Sequence, residues 1–274
     1  MRTLQESIDK MSQGACTLRK HLNAVGITTW EDITRASLYD LRDELLDTVA
    51  ASSAKQTLSA LRAILNRVKD EIELPQDFAK ILSVKGDVAR STFLTQEELK
   101  AFEAVPVKGR KSKIAQIEFL IEAYTGARLS DVMQLTAENF TADGFLTYTA
   151  KKNKVTATVP VSEKTKGWIL YAQQHREDEP TLACRNRIIR RIAQQAGINE
   201  MVKTRRGGVE RVTPKYEVLA SHCGRRSMVS NLIAAGASLN DAKLCAAHTS
   251  TSMTERYCCV SKPNLSAKAM RYFM

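Results

Sequence analysis

Residues 221–257, SHCGRRSMVSNLIAAGASLNDAKLCAAHTSTSMTERY, carry His222, Arg225, His248 and Tyr257, and a further arginine, Arg128, stands far upstream in YTGARLSD (124–131). His222 and Arg225 are three residues apart, which places both on one face of a helix. His248 and Tyr257 are nine apart, so only a folded chain brings them to one place. A guanidinium group pairs with two oxygens of a phosphodiester and stays charged at every relevant pH. Imidazoles move protons, and a phenol, with a pKa of about 10, becomes a nucleophile once a base takes its proton. Brought together, these residues are equipped to attack a phosphodiester without a metal.

Working outward, the bulk composition agrees with a folded protein that meets a polyanion. The chain has 274 residues, 43% of them hydrophobic, with 12 glycines and 6 prolines. That length allows two separate cores, and the composition is not that of a disordered chain. Net charge is +11; residues 1–90 sum to zero, so the basic excess lies in residues 91–274 and suggests nucleic acid as partner. Six cysteines include no CxxC pair and no Cys/His spacing suited to zinc, which reads as reduced thiols of a cytosolic protein. No apolar run approaches the roughly 20 residues that cross a bilayer. MRTLQESIDKMSQG (1–14) has no apolar signal region either, so a cytoplasmic protein without membrane contact is expected.

Periodicity predicts a helical N-terminal part over residues 1–82, with breaks near Gly14, Gly26–Thr29 and Ala50–Ser53. Its clearest helix is Ser53–Asp70, where Leu58, Leu61, Leu65 and Val68 form one apolar stripe and Lys55, Arg62 and Lys69 share another face. Ser83–Arg90 reads as a linker, and a boundary falls near residue 88. Thr95-Gln-Glu-Glu98 has the form of a capping box and opens a new helix. Ile114–Thr125 predicts a buried helix interrupted at Gly126, and Arg185–Gln195 a helix bearing Arg187, Arg190 and Arg191. Gly144–Ala150 and Val155–Val161 flank Lys151-Lys-Asn-Lys154 and predict a hairpin with a lysine-rich turn. Arg205–Arg211 (RRGGVER) reads as a basic turn suited to reaching along a groove.

In combination these features resemble the tyrosine recombinase (phage integrase) family over residues 91–260, and more loosely over the N-terminal helices. Thr125–Asp131 looks like that family's first arginine box, His222-x-x-Arg225 like its second, and His248 with Tyr257 like its terminal box. The resemblance implies a mainly α fold with a small antiparallel β-sheet in two domains: a helical core-binding domain that clamps DNA over 1–88, and a mixed α/β catalytic domain with a C-terminal tail over 89–274. It also implies a catalytic lysine in the hairpin; Lys152 is the best counterpart, with Lys151 and Lys154 as alternatives. Several positions depart from the family's habit. Ala246-Ala247 replaces Leu-Gly before His248, Met253 stands where threonine is frequent, Arg226 follows Arg225 where histidine is common, and Gly224 lies inside the expected helix.

The implied activity is site-specific cleavage and rejoining of duplex DNA for a phage or other mobile element. Arg128 and Arg225 would hold the scissile phosphate, Tyr257 would form a 3′-phosphotyrosine, His222 would act as general base, His248 would donate to a phosphate oxygen, and Lys152 would protonate the 5′ oxygen. No P-loop and no carboxylate metal cluster is visible in the sequence, so no cofactor, metal or ATP is expected. Lys55, Arg62, Lys69, Arg187, Arg191, Arg205 and Arg206 are candidate DNA contacts. The implied partners are double-stranded recombination sites and, on them, a homotetramer whose C-terminal tails pack on neighbouring protomers, with a monomer or weak oligomer off DNA. The implied setting is the nucleoid of a bacterial host. Relaxation of supercoils in the manner of a type IB topoisomerase, or DNA binding without catalysis, are the alternatives.

Overall fold

Apolar residues at three- and four-residue spacing build the first part of the chain from helices. The computed structural model describes residues 2–11, 14–86, 92–206 and 209–257, with the main chain only for Arg205, Arg206, Val209 and Arg256. The chain divides into two compact units, Met1–Arg90 with Lys203–Arg211, and Ser91–Val202 with Val212–Met274. The boundary expected near residue 88 and the tail after Tyr257 lie outside the described residues.

The first unit holds α1 (Leu4–Asp9), α2 (Ala15–Ala24), α3 (Arg35–Thr48), α4 (Ala51–Val68) and α5 (Phe78–Ile81). Capping boxes at Thr3 and Thr34 start α1 and α3. In α4 the stripe is as the periodicity predicts: Leu58, Leu61 and Leu65 are fully buried and Val68 is partly so. Each buried leucine contributes roughly 1.5–3 kcal/mol, which is what fixes the rotation of this helix. Lys55 and Lys69 are exposed and Arg62 is half-buried, along the flank of the stripe.

In the second unit the expected capping box opens α6 (Gln96–Ala104): Glu98 N–H donates to Thr95 Oγ1 at 3.3 Å, and Thr95 N–H donates to Glu98 Oε2 at 2.8 Å. The axle of the unit is α7 (Arg110–Thr125), with eleven buried residues. After α8 (Leu129–Val132) come β1 (Phe145–Thr149) and β2 (Thr156–Pro160), the hairpin the sequence predicts. Their antiparallel register sets Leu146 opposite Val159 and Tyr148 opposite Ala157, all four buried. Next are α9 (Glu163–Gln174) and α10 (Leu182–Gln195), then β3 (Met201–Arg206) and β4 (Val209–Pro214), of which residues 203–211 are counted with the first unit, and then α11 (His222–Ala234), α12 (Leu239–Cys245) and α13 (Thr251–Tyr257). Helices α9, α10 and α11 all pack on α7. The protein is thus mainly α with small antiparallel sheets.

Within RRGGVER, Arg205 and Arg206 end β3 and residues 209–211 begin β4, which pair in one sheet, and the glycines on which the expected basic turn falls lie outside the described residues. Helix α7, expected to be apolar, also buries Gln116, Glu118 and Glu122. Gln116 Nε2 donates to the carbonyls of Phe102 and Val105, both at 3.0 Å. Arg185 pairs with Glu118 at 2.7 Å, and Ser221 Oγ donates to Glu122 Oε1 at 2.8 Å. Burial pushes the Glu118 carboxyl up to about 7 against the opposing pull of Arg185, and raises Glu122 well above the carboxylate range. These polar groups clamp α10 and the start of α11 onto the axle.

Candidate active site

Arg128 is placed by the end of α7. Thr125 Oγ1 donates to Ile121 O at 2.6 Å and accepts from Ala127 N–H at 3.2 Å, which turns the chain. Gly126 has φ 74°, and a Cβ there would come within 2.0 Å of Met228 Cε, so a left-handed residue without a side chain is required. Arg128 then begins α8, its Nη1 3.8 Å from Asp131 Oδ2, an ion pair too long for a hydrogen bond.

Helix α11 delivers His222 and Arg225. It lies against α7 at Gly224, where an added Cβ would meet Phe119 O and Glu122 Cβ, both at 2.8 Å. This close approach explains a glycine inside a helix and draws Arg225 against Gly126. Arg225 is 0% exposed, and its Nη1 donates to Gly126 O at 2.5 Å. Burial, then the neighbouring Arg128, lowers its guanidinium to about 10, still charged at neutral pH.

His248 comes from the end of α12. Ala247 N–H donates to Leu244 O at 3.1 Å and His248 N–H to Lys243 O at 3.0 Å, the paired bonds of a Schellman stop. The left-handed position of that stop, commonly glycine, is Ala247 at φ 47°, a conformation that costs an L-residue roughly 1–2 kcal/mol. The departure from Leu-Gly therefore keeps the geometry at a cost. His248 is buried, with Nδ1 3.0 Å from Thr254 Oγ1.

Tyr257 ends α13 and meets His222, Arg225 and His248. Its hydroxyl lies 2.7 Å from His222 Nε2. The His222 ring is edge-on to it with centroids 5.3 Å apart, and His248 is at 4.9 Å. The Arg225 and Arg226 guanidinium carbons are 5.8 and 5.7 Å from the ring centre. Ser230 Oγ donates to Tyr257 O at 2.9 Å, fixing the backbone. Crowding by the surrounding protein lowers His222 to about 4, helped by Arg226, Arg225, Arg128 and Lys152, although the residue as a whole is exposed. Burial and the same two box arginines lower His248 to about 3. Both imidazoles are therefore neutral at pH 7.

The lysine turn reaches the same place. Lys151 N–H donates to Asp131 Oδ1 at 2.9 Å, and Asn153 Nδ2 donates to Ala247 O at 2.8 Å. Lys151, Lys152 and Lys154 are exposed, and Lys152 is the one whose charge acts on His222. The structure thus brings together Arg128, Lys152, His222, Arg225, His248 and Tyr257. Arg226 beside the Tyr257 ring was not foreseen; its doubling of Arg225 in the sequence was the available signal. Arg187 and Arg191 are exposed on α10, and the side chains of Arg205 and Arg206 lie outside the described residues. Among the described residues, Arg225 Nε and Nη2, Arg128 Nη1 and His248 Nε2 are buried without a hydrogen-bond partner. Buried donors are otherwise almost always paired, so these mark a place for an acceptor-rich anion. Among the described residues no three His, Cys, Asp or Glu side chains are grouped to hold a metal ion, and no helix is long and apolar enough to cross a membrane.

A helical unit and an α/β unit with two arginines, two histidines and a tyrosine around one point define a DNA strand-transfer enzyme of the tyrosine class. The sequence model of the phage integrase family matches residues 92–263. The chain belongs to that family and is a site-specific tyrosine recombinase. No curated protein sequence matches it. Among solved structures the fold is similar to the Tn1549 transposon integrase in complex with circular intermediate DNA (12% identity, 99% of this chain and 100% of that one, TM-score 0.67). It is also similar to the XerH recombinase bound to a palindromic difH substrate (15%, 95% and 77%, 0.66). A third likeness is to the λ integrase tetramer bound to a Holliday junction (16%, 92% and 79%, 0.62).

Proposed function

We propose that Tyr257 attacks the scissile phosphorus and holds the cut strand as a 3′-phosphotyrosine. The observation that carries this reading is the 2.7 Å contact between Tyr257 Oη and His222 Nε2, beside a buried Arg225 with two idle donors. The phenol proton passes to neutral His222 as the Oη–P bond forms. The P–O5′ bond breaks, and the departing oxygen takes a proton from Lys152. Arg128, Arg225 and His248 Nε2 donate to the non-bridging oxygens, where charge gathers in the transition state. Attack by a second strand's 5′-hydroxyl reverses each transfer and exchanges the strands. The bond energy stays in the phosphotyrosine and two guanidinium groups supply the positive charge, so the cycle runs without ATP or a metal.

Lys55, Arg62 and Lys69 on one unit, and Arg187, Arg191, Arg205 and Arg206, contact DNA phosphates in this reading, with residues 1–88 clamping the duplex against 89–274. The tetramer of λ integrase on a junction is the precedent for four subunits acting on two sites. A mobile element in a bacterial cytoplasm is the setting that fits such a recombinase.

The test uses nicked suicide duplexes tiling the DNA that flanks the gene. The wild-type chain traps a covalent adduct on at least one tile, and Tyr257→Phe binds that tile without forming it. An adduct that persists in Tyr257→Phe, or none on any tile with the wild type, overturns the reading. The pH profile is a second check. A base works only when unprotonated, so activity is lost as pH falls through its pKa, and kcat/KM reports the free enzyme. With His222 at about 4, kcat/KM for cleavage should be flat from about pH 5.5 to 7.5. An acid limb centred at the ordinary imidazole value of about 6.5 would show that His222 is not held low in the free protein, and a limb that persists unchanged in His222→Gln would remove His222 as the base.

A further inference from the structure

We propose that Asn153 is a positioning residue, holding the lysine turn against the backbone before His248 so that a turn ammonium meets the departing 5′ oxygen. This rests on the reading of Lys152 as the proton donor. The turn is closed by Ala150 N–H on Val155 O and Lys154 N–H on Ala150 O, both 2.9 Å, with Lys154 left-handed at φ 57°. Three lysines in four residues repel one another and draw the turn toward solvent. Two hydrogen bonds oppose this among the described residues, one on each side of Lys152: Lys151 N–H on Asp131 Oδ1, and Asn153 Nδ2 on Ala247 O, 94 residues away. Among the described residues Asn153 Oδ1 is buried without a partner, so the carbonyl of Ala247 sets the orientation of the amide. The same carbonyl belongs to the strained residue that precedes His248. Lysine carries its charge on a flexible four-carbon stem, so the point of attachment decides whether the ammonium arrives in line.

The experiment compares two versions of the suicide duplex that traps adduct, one with oxygen and one with sulfur bridging the 5′ carbon and the scissile phosphorus. A thiol has a pKa of roughly 8.5, so a thiolate departs unprotonated when the P–S bond breaks, and a misplaced proton donor no longer matters. Asn153→Ala, and near-isosteric Asn153→Asp, which turns a carboxylate oxygen on Ala247 O, should cleave the oxygen duplex about 10- to 100-fold slower, the scale of a misplacement near 1 Å. Both should cleave the sulfur duplex within about threefold of wild type, which also certifies that the variants fold and bind. Asn153→Gln, with its amide kept, should restore part of the oxygen rate. A defect of equal size on both duplexes, or none on either, overturns the proposal. Lys152→Ala is the parallel arm. If sulfur rescues the Asn153 variants but not Lys152→Ala, the donor is Lys151 or Lys154, and the role of Asn153 stands. If it rescues neither, both readings fall.

Discussion

Replacing Arg225 by methionine should slow covalent adduct formation by about 10²–10³, while the free chain unfolds at the same or a higher temperature. The first effect follows from removing a preorganised donor to the charged oxygens, worth about 3–4 kcal/mol in comparable sites. The second follows from what the guanidinium endures without DNA: it is fully buried, pressed beside Arg128, and among the described residues has one hydrogen bond, to Gly126, with Nε and Nη2 idle. Losing that charged bond costs about 1.5–3 kcal/mol, which is offset because replacing a buried charge by an apolar side chain of similar volume is often neutral or stabilising by about 1–4 kcal/mol. Thermal unfolding of the free protein and single-turnover cleavage of a suicide duplex measure the two halves. A variant that unfolds several degrees lower, or cleaves within tenfold of wild type, contradicts this account of Arg225.

Gly224→Ala should act in the opposite sense on stability. An exposed helix gains up to about 1 kcal/mol from such a change. Here the new Cβ would stand 2.8 Å from Phe119 O and from Glu122 Cβ, and the backbone oxygen cannot swing aside. Overpacking of this kind costs roughly 1–3 kcal/mol, and relief requires α11 to move off α7. The expected result is a net loss of about 2 kcal/mol, a fall in Tm of about 4–8 °C for a unit of this size. Cleavage should drop about a hundredfold, because His222 and Arg225 move with the helix. An alanine variant that unfolds higher than wild type would show that the helices are not in close contact at this position.

The candidate site residues were legible because their chemistry is specific and their spacing local. His222 and Arg225 share a helical face, the Thr95 capping box is a four-residue pattern, and the alternation around Lys151–Lys154 announces a hairpin. What could not be read depends on partners far away in sequence. Glu118 and Glu122 look like ordinary helix-surface acids until Arg185 and Ser221 arrive to meet them. Gly224 reads as a weak point in a helix, and only the passage of α7 makes it a necessity. Ala247 gives no local sign of a left-handed residue, since alanine continues helices well; the stop is imposed by the folded surroundings. Val202, Thr204, Val209 and Val212 announce strands, while the arginines and paired glycines among them equally suit a basic turn.

The bond from Ser230 to the carbonyl of Tyr257 has a consequence for how such an enzyme is restrained. Tyr257 hangs on the same helix that carries His222 and Arg225, and each of these groups comes from one polypeptide. On the proposed reading a lone subunit is therefore already cocked. An inhibitor of cutting has to pry α13 away from α11, and a partner that speeds cutting sets its timing rather than lending a missing part.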